Sequence, residues 1–371
     1  MKSLFFLTGL LGSIMLLGEA LAAGEQRFNL ADFPLKERTV VQTDYWPSAA
    51  GEAAVCMWKD DKLAALSFTI DDNNASNVEW WLEAAEKYQV PLTWFIITGE
   101  IEIKKSVRGT WGLWSKVLNK GHAIESHTVT HLSAANDMPT WKGIDWEYAG
   151  AQEQIAAGLS GHQARFLAYP GGKNSGLNDP KTAARHYLAA RSTKGMPNGA
   201  TGIDYLSVNA MSKVTLGGSG GEWANLNNIL DKSLYQGRQY GGWAVLLHHY
   251  VKPPYDMILP QLDFYAAHRE RIWCGLFGDV ARYGQERDTS TLTVNENTPK
   301  GIVLTLTDKM DDRYYDFALT VKVRLPDGWL SLAAQQNGKP TRSRMVEHDG
   351  SRYALVEVVP DRGDVVLMPM R

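Results

Sequence analysis

The sequence has little cysteine: Cys56 and Cys274 are the only two in 371 residues. Two cysteines exclude a disulfide-built scaffold and a cysteine-rich metal module. They either bridge each other or stay as buried thiols, since both lie among apolar neighbours. Net charge is also scarce, with 38 Lys and Arg against 41 Asp and Glu. That balance leaves no electrostatic case for nucleic acid or for an anionic membrane surface. Internal repeats and low-complexity linkers are missing too, which excludes a solenoid or a tethered array. The long apolar run at the N-terminus is short for a membrane span, so stable membrane insertion is not expected. Apolar and aromatic residues are plentiful. A hydrophobic content of 44% with 13 Trp and 15 Tyr can fill a large core and more than one domain.

Residues 1–22 have the layout of a cleavable signal peptide. Lys2 gives the positive start, Leu4 to Leu17 the apolar centre, and Ala20-Leu21-Ala22 the small-residue cleavage site. No cysteine follows the apolar run, which argues against a lipid anchor. The mature chain is expected to begin after Ala22 and to work in a secreted or periplasmic setting.

Beyond an irregular lead-in over 24–50, strands and helices alternate. Ala53–Trp58 and Leu63–Ile70 read as short strands around Lys59-Asp60-Asp61-Lys62, a predicted hairpin. Helices are predicted over Ser76–Tyr88 with Ser76 as cap, Trp111–Lys120, Trp146–Leu159, Pro180–Leu188 and Leu259–His268. Buried strands are predicted at Pro91–Ile97, Ala123–Ser126, Phe166–Tyr169, Ala189–Ala190, Trp243–Leu247 and Ile272–Phe277. This alternation predicts a parallel α/β barrel-like domain over 23–287. After Arg287 the pattern turns to short alternating strands, among them Ser290–Val294, Gly301–Thr307, Phe317–Leu325 and Ala354–Val359. A small all-β, sandwich-like domain is expected over 288–371. Gly217 to Gly221 reads as a flexible loop, because it lacks the strand and the Lys-Ser/Thr ending of a phosphate cradle.

Polar residues gather at the predicted strand ends. The run Leu63–Ile70 stops on Asp71 and Asp72, where α/β folds place their chemistry. Neighbours on an extended chain point to opposite sides, so one carboxylate can take a metal while the other faces a substrate. His127 and His131 stand four residues apart after another predicted strand. One helical turn would bring both imidazoles to one side. With Asp72 they make a two-His, one-carboxylate set for a divalent metal, with positions left for water and substrate. His248 and His249 follow the apolar Val245-Leu246-Leu247 at a further strand end.

The order TIDD (69–72), HTVTH (127–131), AYPGG (168–172) and LLHH (246–249) resembles the polysaccharide deacetylases of carbohydrate esterase family 4, over roughly residues 55–285. The resemblance implies a distorted (β/α) barrel of about seven strands and metal-dependent removal of acetyl groups from a polysaccharide. The acetyl is carried on nitrogen or on oxygen; either linkage suits the mechanism. It implies Asp71 as general base, and Asp72, His127 and His131 as ligands of a divalent metal, zinc first, with cobalt or another transition metal as alternatives. It implies His248 as general acid, with His249 as the rival. It assigns the oxyanion and substrate turn to Tyr169, Pro170 and Gly171, with the Gly171 N–H as donor because proline has none.

The sequence departs from the family pattern in places. Ile70 replaces the usual Phe, and Asn73 and Asn74 replace Gly and Pro. The Arg that many members carry before the Pro turn is missing, with Ala168 near that position and Arg165 three residues too early. Arg191, at another strand end, is the candidate to supply its charge to Asp71, although an ordinary salt bridge is an equal reading. Asp204 is a candidate to orient His248. An alternative function is a non-catalytic carbohydrate-binding protein on a deacetylase scaffold, and the β domain, with Trp329, would either bind glycan or cap the barrel. A glycoside hydrolase fits poorly, because adjacent Asp71 and Asp72 are too close for its paired carboxylates and the two histidines go unused.

Overall fold

The computed structural model describes residues 38, 39, 41–132, 141–174, 176–214, 216, 225–233 and 239–370. The expected signal peptide and the glycine-rich loop from Gly217 to Gly221 lie outside these residues.

The first half of the described chain alternates strand and helix. In order come β1 (Ala53–Val55), β2 (Ala64–Ile70), α1 (Val78–Tyr88), β3 (Leu92–Ile96), α2 (Lys105–Arg108), α3 (Trp111–Asn119) and β4 (Ala123–Ser126). Then follow α4 (Ile144–Gly158), β5 (Phe166–Ala168), α5 (Pro180–His186), β6 (Ala189–Arg191), β7 (Trp243–His248), α6 (Leu259–His268), β8 (Ile272–Cys274) and α7 (Phe277–Thr289). Strands β2 to β8 form one seven-stranded sheet in the order β6-β5-β4-β3-β2-β7, with β8 also on β2. Every pairing in it is parallel. The central strands are apolar throughout because both faces are covered; all seven residues of β2 are buried. The irregular segment 192–211 stitches edge strand β6 to edge strand β7. Val208 N donates to Ala190 O, Met211 N to Val245 O and Leu247 N to Met211 O. A distorted barrel results.

Alternation along the strands sorts side chains into two cores. Ala64, Leu66, Phe68 and Ile70 of β2, with Ala244 and Leu246 of β7, face outward into a layer built by Trp81 and Leu82 of α1, Trp114 of α3 and Leu262 of α6. Ala65, Phe95, Phe166, Ala168, Trp243, Val245 and Leu247 face inward. Burying each aliphatic or aromatic side chain here contributes about 1.5–3 kcal/mol.

Local chemistry fixes the helix ends. Thr110 caps α3 by accepting from Leu113 N, and Asp179 caps α5 ahead of Pro180. Ser76 is not the cap expected for α1. A short 3₁₀ turn, Ala75–Asn77, precedes the helix, and the Asn77 side chain instead exchanges two hydrogen bonds with the Val251 backbone.

The C-terminal part holds β9 (Thr291–Thr298), β10 (Gly301–Thr307), β11 (Leu319–Arg324), β12 (Leu332–Gln336), β13 (Lys339–Pro340), β14 (Ser343–His348), β15 (Ser351–Val358) and β16 (Val365–Pro369). They make two antiparallel sheets, β13-β12-β16-β10-β9 and β1-β11-β15-β14. The predicted hairpin of β1 with β2 does not form: β1 pairs antiparallel with β11 instead. The lead-in strand thus belongs to the sandwich sheet, although it precedes the barrel in sequence. Trp329 is buried in the sandwich core, so it is not a glycan platform. Cys56 and Cys274 are free thiols, and the candidate bridge is absent.

Helix α7 joins the two parts. Most of its residues are buried, including the polar run Gln285 to Thr289. Phe277 packs on Phe95 and Phe166 inside the barrel, and Tyr283 packs on Phe317 toward the sandwich. Close approach is set by glycine: a Cβ on Gly278 would meet the Phe166 ring at 2.2 Å, and one on Gly284 the Tyr205 hydroxyl at 2.0 Å. Arg287 is fully buried. It bonds Asp288, Met57 O and Ala200 O, and it stacks over Trp58 at 4.7 Å. The expected domain boundary after Arg287 falls inside this helix. Among the described residues, no helix is long and apolar enough to cross a membrane.

Candidate active site

Strand alternation selects the site. Thr69 is followed on the same face of β2 by Asp71, Glu125 on β4 by His127, Ala189 on β6 by Arg191, and Leu247 on β7 by His249. These inward positions meet at the carboxyl ends of the strands. Asp71 N donates to His248 O, continuing the β2–β7 ladder. His127 N donates to Ile96 O, extending the β3–β4 ladder one residue past Ser126.

Asp72, His127 and His131 converge, with one ligand atom from each lying within 4.8 Å of the others. Asp72 Oδ1 is 3.6 Å from His127 Nε2 and 3.5 Å from His131 Nε2. Bonds of 2.0–2.1 Å in a tetrahedral site would separate ligand atoms by about 3.3–3.4 Å, so the spacing suits a transition metal. Asp72 Oδ1 is buried without a hydrogen-bond partner, which also fits an oxygen reserved for a metal. His127 Nδ1 lies 2.7 Å from Ala168 O. With its proton on Nδ1, the ring presents the Nε2 lone pair to Asp72 and His131. Burial pushes the His127 imidazole down to about 4 against the pull of Asp71, so the ring is neutral and able to ligate. The expected helical turn between the two histidines is not there. Residues 127–131 form a loop in which Thr128 (φ 69°) and His131 (φ 62°) are left-handed. That loop, rather than helical spacing, turns both imidazoles together.

Asp71 is buried and ion-paired with the Arg191 guanidinium, itself fully buried. Its Oδ2 also lies 3.7 Å from His127 Nε2 and 4.0 Å from His249 Nε2. Burial pushes the carboxyl up, but Arg191, His127 and His249 outweigh it and hold the pKa below the ordinary value. Oδ1 of Asp71 has no hydrogen-bond partner. A charged carboxylate with one free oxygen beside a metal set is equipped to take a proton.

The two adjacent histidines part company. His248, at the outward register of Ala244 and Leu246, packs its ring on Phe68 and Trp81. Burial lowers it to about 4, so it holds no imidazolium proton near neutral pH. His249 faces the site and is half exposed. Asp204 is nowhere in contact with His248: it pairs with Lys173 at 3.1 Å on the surface and caps Leu206 N.

In the AYPGG turn, Tyr169 N donates to Arg191 O, tying the turn to β6. The Tyr169 ring takes the outward register of Leu167 and packs in the cluster of Tyr148, Tyr187 and Ala183. Only its backbone therefore borders the site. Pro170 O accepts from Asn178 Nδ2. Gly171 is exposed in a left-handed conformation (φ 68°), and among the described residues its N–H has no partner.

A parallel α/β barrel with an Asp-His-His cluster and an arginine-held aspartate at its strand ends is the class this geometry defines. Residues 59–187 match the family model described as polysaccharide deacetylase. The curated gellan lyase of a Bacillus species is 36% identical over 374 residues, a match covering 94% of this chain and 14% of that protein. The chain thus spans a small part of the length of the relative it matches. Among solved structures, a family 4 carbohydrate esterase from Bacillus anthracis is 16% identical with a TM-score of 0.37, covering 59% of this chain and 82% of its own. The Xyl-CE4 domain of a multidomain xylanase from the hindgut metagenome of Trinervitermes trinervoides is 18% identical with a TM-score of 0.37, covering 58% and 89%.

Proposed function

We propose that this protein is a metal-dependent deacetylase that hydrolyses acetyl groups, on nitrogen or oxygen, from an acetylated polysaccharide outside the cytoplasm. The observation that carries the reading is the meeting of Asp72, His127 and His131 beside an Asp71 held ionised by Arg191. The name of the gellan lyase relative adds support for a polysaccharide as the polymer.

A divalent metal, zinc first, held by Asp72, His127 and His131 would supply Lewis acidity to the acetyl carbonyl and acidify a water. Asp71 takes the proton of the attacking water on its free Oδ1. The N–H of Gly171 donates to the oxygen that gains charge as the carbonyl carbon becomes tetrahedral. His249 donates a proton to the departing sugar nitrogen or oxygen as the bond to the acetyl carbon breaks, leaving acetate. We assign this role to His249 in place of His248 because His249 faces Asp71 while His248 is buried against Phe68 and Trp81. A purely carbohydrate-binding role would leave the buried Asp71–Arg191 pair without a task.

The test is acetate release from a panel of N- and O-acetylated glycans, with protein stripped of metal and then restored with zinc or cobalt. Metal-dependent acetate from one class supports the reading and chooses between amide and ester. Bound metal with no acetate across the panel, together with glycan binding, would replace it with the binding-protein reading.

A further inference from the structure

Two of the three metal-ligand candidates sit on backbones that need outside support. Asp72 and Asn73 are left-handed (φ 63° and 39°), as are Thr128, His131 and Leu132. Such conformations in non-glycine residues persist only where neighbours hold them. His127 is held by the strand ladder and by Ala168 O, but Asp72 and His131 lie beyond the last strand residues.

Each of these two loops is gripped by one buried side chain. Asn73 is fully buried: Ile97 N donates to its Oδ1 (3.1 Å), and its Nδ2 donates to Ile97 O (3.2 Å) and Arg108 O (3.1 Å). Arg108 closes the ring by donating to Asp72 O, with its Nε on Glu100 at 2.6 Å. Asn73 stands where the related family has glycine, so here the left-handed turn is kept by side-chain bonds in place of backbone freedom. On the other side Glu147 of α4, fully buried, accepts from Val129 N (3.0 Å) and Thr130 N (2.9 Å) on Oε2. Its Oε1 accepts from Thr130 Oγ1 (2.6 Å) and Trp141 Nε1 (2.9 Å). Val129 O and Thr128 O in turn accept from Gly99 N and Thr98 N, and Thr128 Oγ1 accepts from His131 N. Neither Asn73 nor Glu147 belongs to the ligand cluster.

We propose that Asn73 and Glu147 are positioning residues of the metal centre: they lock the Asp72 and His131 loops into ligand geometry before a metal arrives. The inference rests on the metal-site reading above. Asn73 spends both its side-chain polar groups on Ile97 and Arg108, and Glu147 spends three of its four bonds on Val129 and Thr130. Through Asn73 on one side and the Thr128 and Val129 carbonyls on the other, both loops tie to residues 97–99, just past β3. The set is therefore pre-shaped from two sides.

The experiment titrates the metal-free full chain and its N73G and E147Q variants with zinc against a chromophoric chelator, and records cobalt(II) visible spectra and metal-free melting temperatures. Dissociation constants about 10–100-fold weaker are expected in both variants, the range for lost outer partners of metal ligands. Altered cobalt spectra should accompany them, with turnover recovering at saturating metal. If E147Q does not fold, N73G decides, because glycine adopts the left-handed turn freely. Unchanged affinity and spectra overturn the inference, as does a fall in metal-free melting temperature with unchanged affinity, which would mean a purely structural role. A wild-type chain that binds no metal would sink the metal-site reading itself.

Discussion

Replacing Arg191 by methionine tests the centre most directly. The guanidinium is fully buried against Asp71, and its other contacts are Ser192 O and the Phe95 ring at 5.3 Å. Two unit charges about 3 Å apart at an effective dielectric of about 20 attract by about 5 kcal/mol. That is a ceiling of about 4 pKa units, and arginine neighbours commonly lower a carboxylate by about 1–3. With methionine, burial acts on Asp71 with less opposition. The carboxyl should then rise rather than stay charged and unpaired, which would cost about 3–5 kcal/mol. In the wild type the depressed carboxyl stabilises the fold above about pH 4, and that contribution is lost as pH falls through the lowered folded value. In R191M that stabilising contribution is diminished, so the stability gap between the two proteins grows as pH rises through the range in which Asp71 ionises in the wild type. The assay is the pH profile of kcat/KM for acetate release, with metal content measured on the same samples. The acid limb should move to higher pH, while R191K, which keeps the charge, moves less. An acid limb that stays in place in R191M at full metal content would refute Asp71 as the base.

The remaining predictions separate neighbouring residues. H249A should lower kcat by about 10²–10⁴ with metal retained, while H248A should mainly lower melting temperature through lost packing on Phe68 and Trp81; the reverse pattern would restore His248 as the acid. D72A should lose metal and turnover together, whereas D71N should keep metal and lose turnover; metal analysis beside rate measurement decides, and retained turnover in D71N removes Asp71. Burial, with the nearby Asp308 charge, pushes Glu286 of α7 up to about 9. A raised carboxyl costs the fold stability as pH climbs from about 4.3 toward that value. E286Q should therefore match wild type near pH 4.5 and be more stable by up to about 5 kcal/mol at pH 8 in denaturant titrations; an equal effect at both pH values would show that Glu286 does not titrate in the folded chain.

Parts of this molecule that rest on local pattern were readable from sequence. The apolar run ending on Asp71, the stripe of α1 and the alternation of β10 each report burial directly, and they predicted strand, helix and strand. Helix α7 was not readable, because its period is hidden: Gln285, Glu286, Arg287 and Asp288 are polar yet buried, and two glycines lower its intrinsic propensity. The partner of β1 was equally invisible, since the strand it joins, β11, follows more than 260 residues later and no turn chemistry points there. At the site, residue types were legible but register was not. Adjacent histidines look alike in a string, and a shift of one position along β7 exchanges the core face for the site face. Arg191 was named for its position at a strand end; its aim at Asp71 depends on a neighbouring strand that sequence does not order. Tyr169 stands within the AYPGG motif and Asp204 is a candidate to orient His248, yet alternation turns the Tyr169 ring outward and a surface lysine pairs with Asp204.

Helix α7 also decides how this chain can be cut. A fragment stopped after Arg287 would end within the helix, remove β11 from β1, and bare the Tyr283 and Trp58 faces to water. One begun at residue 288 would lack the strand that completes its first sheet. A cut on either side of α7 would therefore strip buried surface from both the barrel and the sandwich. Unfolding of the sandwich would leave the Tyr283 face of α7, buried against Phe317, open to water.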